Sequence, residues 1–492
     1  MERLPVSDDV LEALRRLEVS ARARRISCHL VGGFIRDHLL GRPPTHLNFD
    51  FVVSRDAVAL CRALADDLSG AYVPLDEASG SARVVFETSQ GPVELDISDA
   101  RGPTLEEDLR RRDFTINAIA IALDDWLRDP RHPGPLIDPL HGTEALSRRE
   151  LHPCFPGTFE EDPVRILRAF RFVVQLGCTL DPSATPLMRI ALPSLTHVAG
   201  ERMRDELMAM LETDRAHVAF DSLNALGVLD LLCPEWSAGR GIEQGGFHHL
   251  DVLGHQLETV AQADRILTDF AEFSEPLRQP LAAYCAQPFV ERRSRKGLIK
   301  LAGLLHDIGK PARRTVEPDG EIWFLGHEQA GVAPAKAIVE RLRFSNRESQ
   351  MICDLVLHHL RPGFLSREPQ LTRRAIYRFF KDLGDHGPSC LLLWWSDRMA
   401  TRGPKSRLDQ LDQQRSRLEE LLRAYFFHAE EVVKPQRLID GHRLMQTFGL
   451  ASGPLIGELL SAIEEAQAEG RVHSLEEAVA LARKRLTARG AS

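Results

Sequence analysis

Three side chains on two predicted strands have the chemistry of a divalent-metal site. Asn48 and Asp50 alternate with apolar residues in LNFDFVV, and Asp96 alternates with apolar residues in residues 93–97. Residues two apart on a strand share a face, and oxygen ligands are those that Mg²⁺ prefers. The pattern therefore predicts that Asn48, Asp50 and Asp96 hold Mg²⁺ together.

A turn of the kind that binds phosphate precedes these strands. The apolar residues 28–31 break at Gly32 and Gly33, and the chain then enters a helix at Arg36 and Asp37. Glycines let backbone amides approach phosphate oxygens, and a helix N-terminus attracts anions. A double glycine before a helix also occurs at sites that bind no phosphate, so the neighbouring motifs decide its meaning.

A charged segment, TLEEDLRRRDFTINAIAIAL, follows the acidic strand. Thr104 and Glu107 have the spacing of a capping box, which predicts a short helix that ends near Arg112 and Asp113. The apolar residues 114–123 are typical of a buried strand. The alternative for the charged part is a solvated helix face.

The order of these motifs identifies a family. LVGGFIRD, an acidic strand, DLRRRDFTINA, LIDPLHG and EDPVRILRAFRF occur in one order between residues 26 and 240. This resembles the bacterial tRNA nucleotidyltransferase and poly(A) polymerase family, which includes the CCA-adding enzymes. The tail from Leu438 resembles the C-terminal segment of the same family.

The resemblance implies roles for individual residues. Asp50, Asp96 and Asn48 would be catalytic, with the growing RNA 3′ hydroxyl attacking the α-phosphate of ATP or CTP. The residues implied in nucleotide binding are Gly32, Gly33, Arg36, Arg112, Asp113, Asn117, Asp162, Arg165 and Arg168.

The segment EDPVRILRAF would select the base. Asp162 precedes Pro163, which suits a first helical turn, and Arg165 lies three residues further on the same face. A carboxylate accepts from an exocyclic amine and a guanidinium donates to a ring acceptor, the pattern that cytosine and adenine share. The alternative is a salt bridge at a helix start. We predict a neck helix over residues 158–177 that ends at Gly177.

Asn48 departs from the family, which carries two aspartates two residues apart at this place. An amide offers a carbonyl oxygen but no charge, so the Mg²⁺ site should be weaker. Because phosphoryl transfer depends on the ion, the head is expected to be slower or inactive.

The second half carries histidines and aspartates in a further characteristic order. These are His255, His306 with Asp307, His327, His358 with His359, and Asp397. The order resembles the HD phosphohydrolase superfamily over residues 245–400. Imidazole and carboxylate ligands suit Mn²⁺, Ni²⁺, Fe²⁺ or Mg²⁺.

The HD resemblance implies that His255, His306, Asp307 and Asp397 hold a first ion. His327 and His358 would be further metal ligands or phosphate contacts, with His359 as an alternative to His358, and Lys310 or an arginine would hold the anion. The alternative for any single histidine is an ordinary core or surface residue, which we keep for His248, His249 and His386.

Composition agrees with a large enzyme. The chain has 492 residues, 43% hydrophobic content and eight scattered cysteines, which are typical of reduced thiols in the cytoplasm. No apolar run long enough to span a membrane and no signal peptide is present, so we expect no membrane contact.

A nucleic-acid partner has to be reconciled with a net charge of −9. Basic residues cluster in residues 110–112, 291–300, 373–374 and 401–407, and such clusters can follow a phosphate backbone. Each cluster is equally compatible with a solvated surface. A tRNA or other RNA 3′ end is the partner that the resemblance implies.

The predicted fold is an α/β head with a mixed sheet and helices, followed by an all-α neck, body, HD domain and tail. The expected parts are a leading helix over residues 1–25, a nucleotidyltransferase head over 26–140, a helical neck and RNA-binding or nucleotide-binding region over 141–240, an HD domain over 241–400 and a helical tail over 401–492.

Three functional hypotheses follow. The first is a nucleotidyltransferase that adds CMP and AMP, or AMP alone, to tRNA 3′ ends and carries an HD phosphohydrolase domain. The second is a metal-dependent phosphohydrolase whose weakened or inactive head binds RNA, as Asn48 would allow. The third is a poly(A) polymerase, which shares the head.

Overall fold

The structure of the chain is a computed structural model that describes residues 6–43, 47–76, 80–130, 134–290 and 293–490. It divides into two compact units, Met1–Val198 and Ala199–Ser492. Among the described residues, no helix is both long and apolar enough to cross a bilayer.

The first unit is a mixed α/β structure. Its elements are α1 (Asp8–Ala23), β1 (Cys28–Val31), α2 (Gly33–Leu39), β2 (Leu47–Val53), α3 (Ala57–Leu68), β3 (Ala71–Asp76), β4 (Ser81–Thr88), β5 (Gly91–Asp99), α4 (Leu105–Arg110), β6 (Ala120–Ala122), α5 (Leu123–Arg128), α6 (Gly142–Arg148), β7 (Glu150–Leu151), α7 (Thr158–Glu161), α8 (Arg165–Leu176), β8 (Thr179–Leu180) and α9 (Ala184–Ala191).

The main sheet has the strand order β3–β4–β5–β2–β1–β6. Strands β2 and β5 are parallel, and their register sets Asn48 opposite Glu94 and Asp50 opposite Asp96. The other neighbouring strands pair antiparallel. The two predicted acidic strands are therefore adjacent, which the sequence could not specify.

Alternation along β2 and β5 separates an apolar face from a polar one. Phe49 and Leu95 are buried at 0% exposure and belong to the same core cluster as Leu14 of α1 and Leu60 of α3. Because successive side chains of a strand point to opposite faces, the carboxylates of Asp50, Glu94 and Asp96 lie on the face away from this core. Burial of the apolar residues thus determines where the acids point.

The prediction of one buried strand over residues 114–123 is wrong. Phe114 forms only an isolated bridge, residues 115–117 form a 3₁₀ turn, and β6 is confined to residues 120–122. The Asp113 carboxylate accepts hydrogen bonds from the Phe114 N–H at 2.7 Å and from Asn117 Nδ2 at 3.1 Å. This local side-chain bonding competes with strand pairing and closes a turn.

The predicted neck helix over residues 158–177 is interrupted. Helix α7 ends at Glu161, Asp162 is extended with φ −146°, and α8 begins at Arg165. Pro163 explains the break, because it has no N–H to donate and it disfavours the helical conformation in the residue before it. The predicted end at Gly177 agrees with its left-handed φ of +67°.

The second unit is dominated by helices. Its first elements are α10 (Gly200–Leu211), α11 (Ala216–Leu226), α12 (Val228–Leu232), α13 (Pro234–Ser237), α14 (Val252–Asp269), α15 (Glu275–Ala286), β9 (Pro288–Val290), β10 (Arg293–Ser294), α16 (Arg295–Leu305), β11 (Thr315–Val316) and β12 (Ile322–Trp323). They are followed by α17 (His327–Arg341), α18 (Asn346–His358), α19 (Arg361–Leu365), α20 (Arg373–Leu383), α21 (Gly387–Ala400), α22 (Leu411–Phe427), α23 (Gly441–Phe448), α24 (Pro454–Ala468) and α25 (Leu475–Gly490).

A buried ion pair joins α14 to α16. Lys300 Nζ lies 2.6 Å from Asp264 Oδ1, and the two side chains are 0% and 2% exposed. Lys300 also donates to the Thr213 carbonyl at 2.5 Å, and Asp264 Oδ2 accepts from the His217 backbone N–H at 2.9 Å. Every charge in this pair therefore has several partners, as burial requires.

We expect Lys300→Met to destabilise the second unit by about 3–5 kcal/mol, because it leaves the Asp264 carboxylate buried without its cation. The measurement is urea and thermal unfolding of the full chain. The control is Lys336→Met, since the Lys336–Glu340 pair is 62% exposed on both sides and should change stability by less than about 0.5 kcal/mol. Equal stability of the two variants would contradict the role of the buried pair.

Candidate functional site

The polar face of the first unit collects four oxygen-bearing side chains. Asn48 and Asp50 lie on β2, and Glu94 and Asp96 lie beside them on β5. Burial raises the pKa of Asp50 to about 6, with a further contribution from the negative charge of Asp96. A cation placed between these strands would relieve both effects.

Like Arg112, whose charge also acts to lower the pKa of Asp50, Arg83 on β4 places positive charge near this face. Its guanidinium donates to both oxygens of Asp96, at 2.6 and 2.8 Å, and its Nη1 lies 2.9 Å from Glu94 Oε2. These charge-assisted bonds are the strong kind. Arg83 thus holds two carboxylates of β5 in place beside Asp50.

Asn48 and Gly32 complete the metal-facing part of the face. Asn48 Oδ1 is buried and has no hydrogen-bond partner among the described residues, so it is available as a ligand. Gly32 has φ +77°, and a Cβ at this position would lie 3.1 Å from Asp50 Oδ2. Only glycine lets the turn after β1 approach the acid so closely without strain.

Four of the residues predicted to bind the nucleotide form one network. Arg36 Nη1 donates to Asn117 Oδ1 at 2.8 Å, Asn117 Nδ2 donates to Asp113 Oδ1 at 3.1 Å, and Arg168 lies 3.3 Å from Asp113 Oδ2. Burial acts to raise the pKa of Asp113, but Arg168 and the hydrogen bonds from Asn117 and Phe114 hold it below its usual value. The network therefore carries a stable carboxylate that orients two arginines.

Gly33 and Arg112 lie at the edge of this network. A Cβ at Gly33 would lie 3.5 Å from the Arg36 guanidinium, and α2 begins at Gly33, three residues earlier than predicted. Arg112 pairs with Asp108 at 3.1 Å. Because Asp108 is buried, this part of the charged segment is not the solvated helix face of the alternative interpretation.

The predicted common helical face of Asp162 and Arg165 is not formed, because Asp162 precedes α8. Arg165 is 5% exposed, and its guanidinium donates to the carbonyls of Thr158 at 3.2 Å and Arg111 at 3.4 Å. The backbone joins the two residues instead, since the Arg165 N–H donates to the Asp162 carbonyl at 3.0 Å.

Sequence reasoning missed Glu94 and Arg83 as members of the site. Glu94 shares the alternation that identified Asp96, so its position on the same face could have been inferred. Arg83 had no such signal, because its link to Asp96 depends on the pairing of β4 with β5.

The second unit gathers the predicted HD residues from five helical segments. His255 Nε2 lies 2.8 Å from Asp397 Oδ1 and 3.7 Å from Asp307 Oδ2, and His306 Nε2 lies 3.1 Å from Asp307 Oδ2. Ligand atoms of His255, His306 and Asp307 are mutually close enough to share one ion, and all three residues are buried.

A second group shares Asp307. His327 Nε2 and His359 Nε2 lie 3.1 and 3.7 Å from Asp307 Oδ1, and these three residues could also hold an ion. His358, the residue favoured from the sequence, is the last residue of α18 and has Arg361 and Asp354 as its charged neighbours. The structure thus corrects the choice to His359, because the turn after α18 directs the second histidine inwards.

Three of the histidines are oriented in the same way. Nδ1 of His306, His327 and His359 lies 2.9, 2.8 and 2.7 Å from the carbonyl of the residue three positions earlier. A carbonyl only accepts, so each Nδ1 carries a proton, and a neutral ring then presents its lone pair at Nε2. This is the tautomer that binds metal through Nε2.

Electrostatics of the cluster favour metal binding. Burial lowers the pKa of His255 and, with the nearby His306, lowers the pKa of His359 to about 3. Burial acts to raise the pKa of Asp307, but His306 and Lys310 hold it well below its usual value. Burial acts to lower the pKa of His306, but the charge of Asp307 raises it above its usual value. The neutral imidazoles of His255 and His359 beside a charged carboxylate are donors that suit a divalent transition metal.

Gly309 and Lys310 shape the surroundings of Asp307. A Cβ at Gly309 would lie 2.1 Å from the His327 carbonyl, so a side chain there would push away the start of α17. Lys310 Nζ lies 2.6 Å from Asp307 Oδ2 and donates to Gln244 Oε1 at 2.7 Å. The predicted lysine is thus beside the centre.

His248, which the sequence left as an ordinary residue, packs its ring at 4.4 Å from that of His255. Burial lowers its pKa to about 2. Two of the predicted basic clusters contain ion pairs: Arg374 lies 2.7 Å from Glu465, and Lys296 pairs with Asp214. Residues 291 and 292 of the second cluster lie outside the described residues.

Family models match the chain in four consecutive places. Residues 28–152 match the poly A polymerase head domain, and residues 177–239 match the probable RNA and SrmB-binding site of polymerase A. Residues 252–381 match the HD domain, and residues 399–482 match tRNA nucleotidyltransferase domain 2, putative. HD domains bind metals, in agreement with the buried histidine and aspartate cluster.

Two relatives align over nearly the whole chain. The A-adding tRNA nucleotidyltransferase of Deinococcus radiodurans is 36% identical over 461 residues, which are 92% of this chain and 94% of the relative. The CC-adding tRNA nucleotidyltransferase of Thermus thermophilus is 34% identical over 460 residues, which are 91% of each protein.

Solved structures share the fold. A CCA-adding enzyme in complex with ATP superposes with a TM-score of 0.62 at 21% identity, covering 98% of this chain and 96% of that one. The Thermotoga maritima CCA-adding enzyme in complex with tRNA gives a TM-score of 0.60 at 21% identity with the same coverage. The predicted α/β head and helical remainder are therefore confirmed, and the chain belongs to the tRNA nucleotidyltransferase and poly(A) polymerase family and carries an HD domain.

Proposed function

We propose that the chain is a tRNA nucleotidyltransferase that transfers CMP, AMP or both to tRNA 3′ ends. The observation that carries the proposal is the parallel pairing of β2 with β5, which sets Asp50 beside Asp96 next to the glycine turn. The relatives named as A-adding and CC-adding enzymes support the substrate class.

Asp50 and Asp96, with the amide oxygen of Asn48, would hold Mg²⁺. The donor set fits, since it offers two carboxylates and a buried amide oxygen without a partner among the described residues. When bound, the ion neutralises triphosphate charge and favours the attack of the RNA 3′ hydroxyl. Arg83 would hold the Asp96 carboxylate in position while the ion binds.

The remaining residues of the head would bind the nucleotide. The amides at Gly32 and Gly33 would face the triphosphate, and its charge would be neutralised by Arg36 and Arg168, which Asn117 and Asp113 orient. The hydroxyl displaces pyrophosphate from the α-phosphorus, so one P–O bond forms as another breaks. The two relatives of similar identity are named for different additions, A and CC.

Base choice would depend on Asp162 and Arg165. Their backbone link and the anchoring of Arg165 on two carbonyls restrict how far the guanidinium can move. A restrained donor beside an acceptor discriminates bases better than a mobile one.

A cytoplasmic location of the enzyme fits its cysteines, because all eight lie among the described residues and none forms a disulfide.

The HD centre favours a second activity, hydrolysis of phosphate esters. Five buried ligand residues, His255, His306, Asp307, His327 and His359, converge there. A bound Mn²⁺, Ni²⁺, Fe²⁺ or Mg²⁺ would supply an activated water. In the proposed hydrolysis a water oxygen would bond to phosphorus as the ester P–O bond breaks, and the alcohol would leave with a proton. Lys310 would neutralise the phosphate.

The first prediction for the head concerns substrate use. With Mg²⁺, we expect labelled CMP or AMP to be incorporated into tRNA transcripts that end before CCA or after CC, but not into complete tRNA. Asp50→Asn should reduce the rate by about 100-fold or more, because the central carboxylate is lost. Long A tracts on unrelated RNA would indicate a poly(A) polymerase instead.

The second prediction concerns Asn48. We expect Asn48→Asp to lower the Mg²⁺ concentration for half-maximal incorporation and to raise the rate, since a carboxylate binds Mg²⁺ better than an amide. Asn48→Ala removes the ligand oxygen and is the matched control. It should raise the Mg²⁺ concentration for half-maximal incorporation and lower the rate. If neither the wild type nor Asn48→Asp incorporates any nucleotide, the head is an RNA-binding module and hydrolysis is the main activity.

The third prediction separates the two adjacent histidines after α18. His359→Ala should lower the amount of bound Mn²⁺ or Ni²⁺ measured by mass spectrometry of the purified protein, as should His306→Ala. His358→Ala is the control and should retain the wild-type metal content, because it lies outside the buried cluster. The reverse result for positions 358 and 359 would restore the assignment made from the sequence.

A further inference from the structure

Glu94 lies beside Asn48, a metal-facing side chain that carries no charge. The parallel register of β2 and β5 sets the two residues opposite each other, and neighbouring strands are about 4.8 Å apart. Both residues alternate with buried apolar residues of their strands, so their side chains share the polar face of the sheet. A carboxylate on β5 is therefore placed next to an amide on β2.

The Asn48 amide leaves its side of the centre short of charge. Its Oδ1 is buried and has no hydrogen-bond partner among the residues that the structure describes, so a cation would give this oxygen a partner. An amide oxygen attracts Mg²⁺ less than a carboxylate oxygen does. The β2 side of the centre thus depends on a neighbouring acid for its second negative charge.

The charge balance of the face matches a divalent ion only when Glu94 is counted. Asp50, Glu94 and Asp96 lie beside one another on β2 and β5, and Arg83 pairs with the two acids of β5. Three carboxylates and one guanidinium leave two negative charges, which one Mg²⁺ neutralises. Without the charge of Glu94 the same face would leave one.

The other charges that act on Asp50 have partners of their own. These are Arg112 and Asp113. Arg112 lies 3.1 Å from Asp108, and Asp113 lies 3.3 Å from Arg168. Each of these pairs is close to neutral as a whole, so the excess charge on the face is that of the three carboxylates and Arg83.

The contact with Arg83 is compatible with a metal ion on Glu94. Arg83 Nη1 lies 2.9 Å from Glu94 Oε2, whereas its Nε and Nη2 both donate to Asp96. One guanidinium nitrogen therefore meets Glu94 and two hold Asp96. A carboxylate can accept at about four lone-pair sites, so a cation and a guanidinium can bind the same group.

We propose that Glu94 is a further ligand of the Mg²⁺ in the head and supplies from β5 the negative charge that Asn48 does not supply from β2. The inference rests on the proposed function, because it concerns the ion of the nucleotidyl-transfer site. It implies that the contribution of Glu94 depends on its neighbour at position 48. The carboxylate matters most beside an amide and less beside an aspartate, as residues that share one ligand should behave.

The test is Mn²⁺ binding to the full-length protein without nucleotide or RNA, followed by the electron paramagnetic resonance signal of free Mn²⁺. Mn²⁺ represents Mg²⁺ here because it also prefers oxygen ligands. Binding that is lost in Asp50→Ala is assigned to the head, which separates it from the HD centre. Glu94→Gln should weaken this binding about tenfold, since one negative charge beside the ion is lost. In an Asn48→Asp background the same change should weaken it less than about threefold.

The matched control is Glu87→Gln, because Glu87 is exposed on β4 and shares a strand face with Arg83. This control should bind Mn²⁺ as the wild type does. Glu94→Gln should fold normally, since Arg83 keeps both of its bonds to Asp96. An unchanged Mn²⁺ affinity in Glu94→Gln would overturn the proposal. Equal losses in the wild type and in the Asn48→Asp background would also overturn it, because Glu94 would then act only by holding Arg83.

Failure of the proposed transferase function would be visible separately, since nucleotide incorporation is measured on the same variants. If the wild type incorporates no nucleotide while its Mn²⁺ binding depends on Glu94, the transferase function is rejected and the metal assignment stands. If the wild type incorporates nucleotide while Glu94→Gln binds Mn²⁺ like the wild type, the metal assignment alone is wrong.

Discussion

Both candidate sites depend on one constraint, that carboxylates withdrawn from water need a nearby positive charge. In the first unit Arg83 binds Asp96 and Glu94 beside Asp50, and in the second unit Lys310 binds Asp307. An unpaired buried carboxylate would cost several kcal/mol. Each site therefore contains an internal cation that permits a cluster of acids to exist before a metal ion arrives.

Asn48 is best understood within this charge balance. The face already carries Asp50, Glu94 and Asp96 against Arg83, and an amide at position 48 limits the repulsion that a further carboxylate would add. This amide also attracts Mg²⁺ less strongly than a carboxylate would. A carboxylate at position 48 should therefore raise the affinity for Mg²⁺ and lower the stability of the metal-free head.

The HD centre shows how helices can orient ligands with backbone groups alone. Each of three histidines is fixed by the carbonyl three residues before it, so the helical or turn geometry that places the ring also sets its tautomer. Gly309 then allows the start of α17 to approach Asp307. The buried Lys300–Asp264 pair joins α16 to α14, the helices that bring His306 and His255 together.

The sequence by itself determined the two sets of chemical groups, because alternation in β2 and β5 and the order of histidines and aspartates are local patterns that periodicity reveals. It also indicated the family, the mixed α/β head and the helical remainder. Two predictions were wrong because hydrophobic periodicity does not detect local side-chain and proline effects. Asp113 closes a turn where residues 114–123 were expected to form a strand, and Pro163 interrupts the neck helix.

Only the tertiary structure decided which residues meet. The pairing of β4, β5 and β2 joins Arg83 and Glu94 to Asp50, and the turn after α18 selects His359 over His358. The parallel register of β2 and β5 likewise sets Glu94 opposite Asn48. These contacts depend on strand register and helix packing, which follow from burial of the whole apolar core and are therefore not encoded in any short stretch of residues.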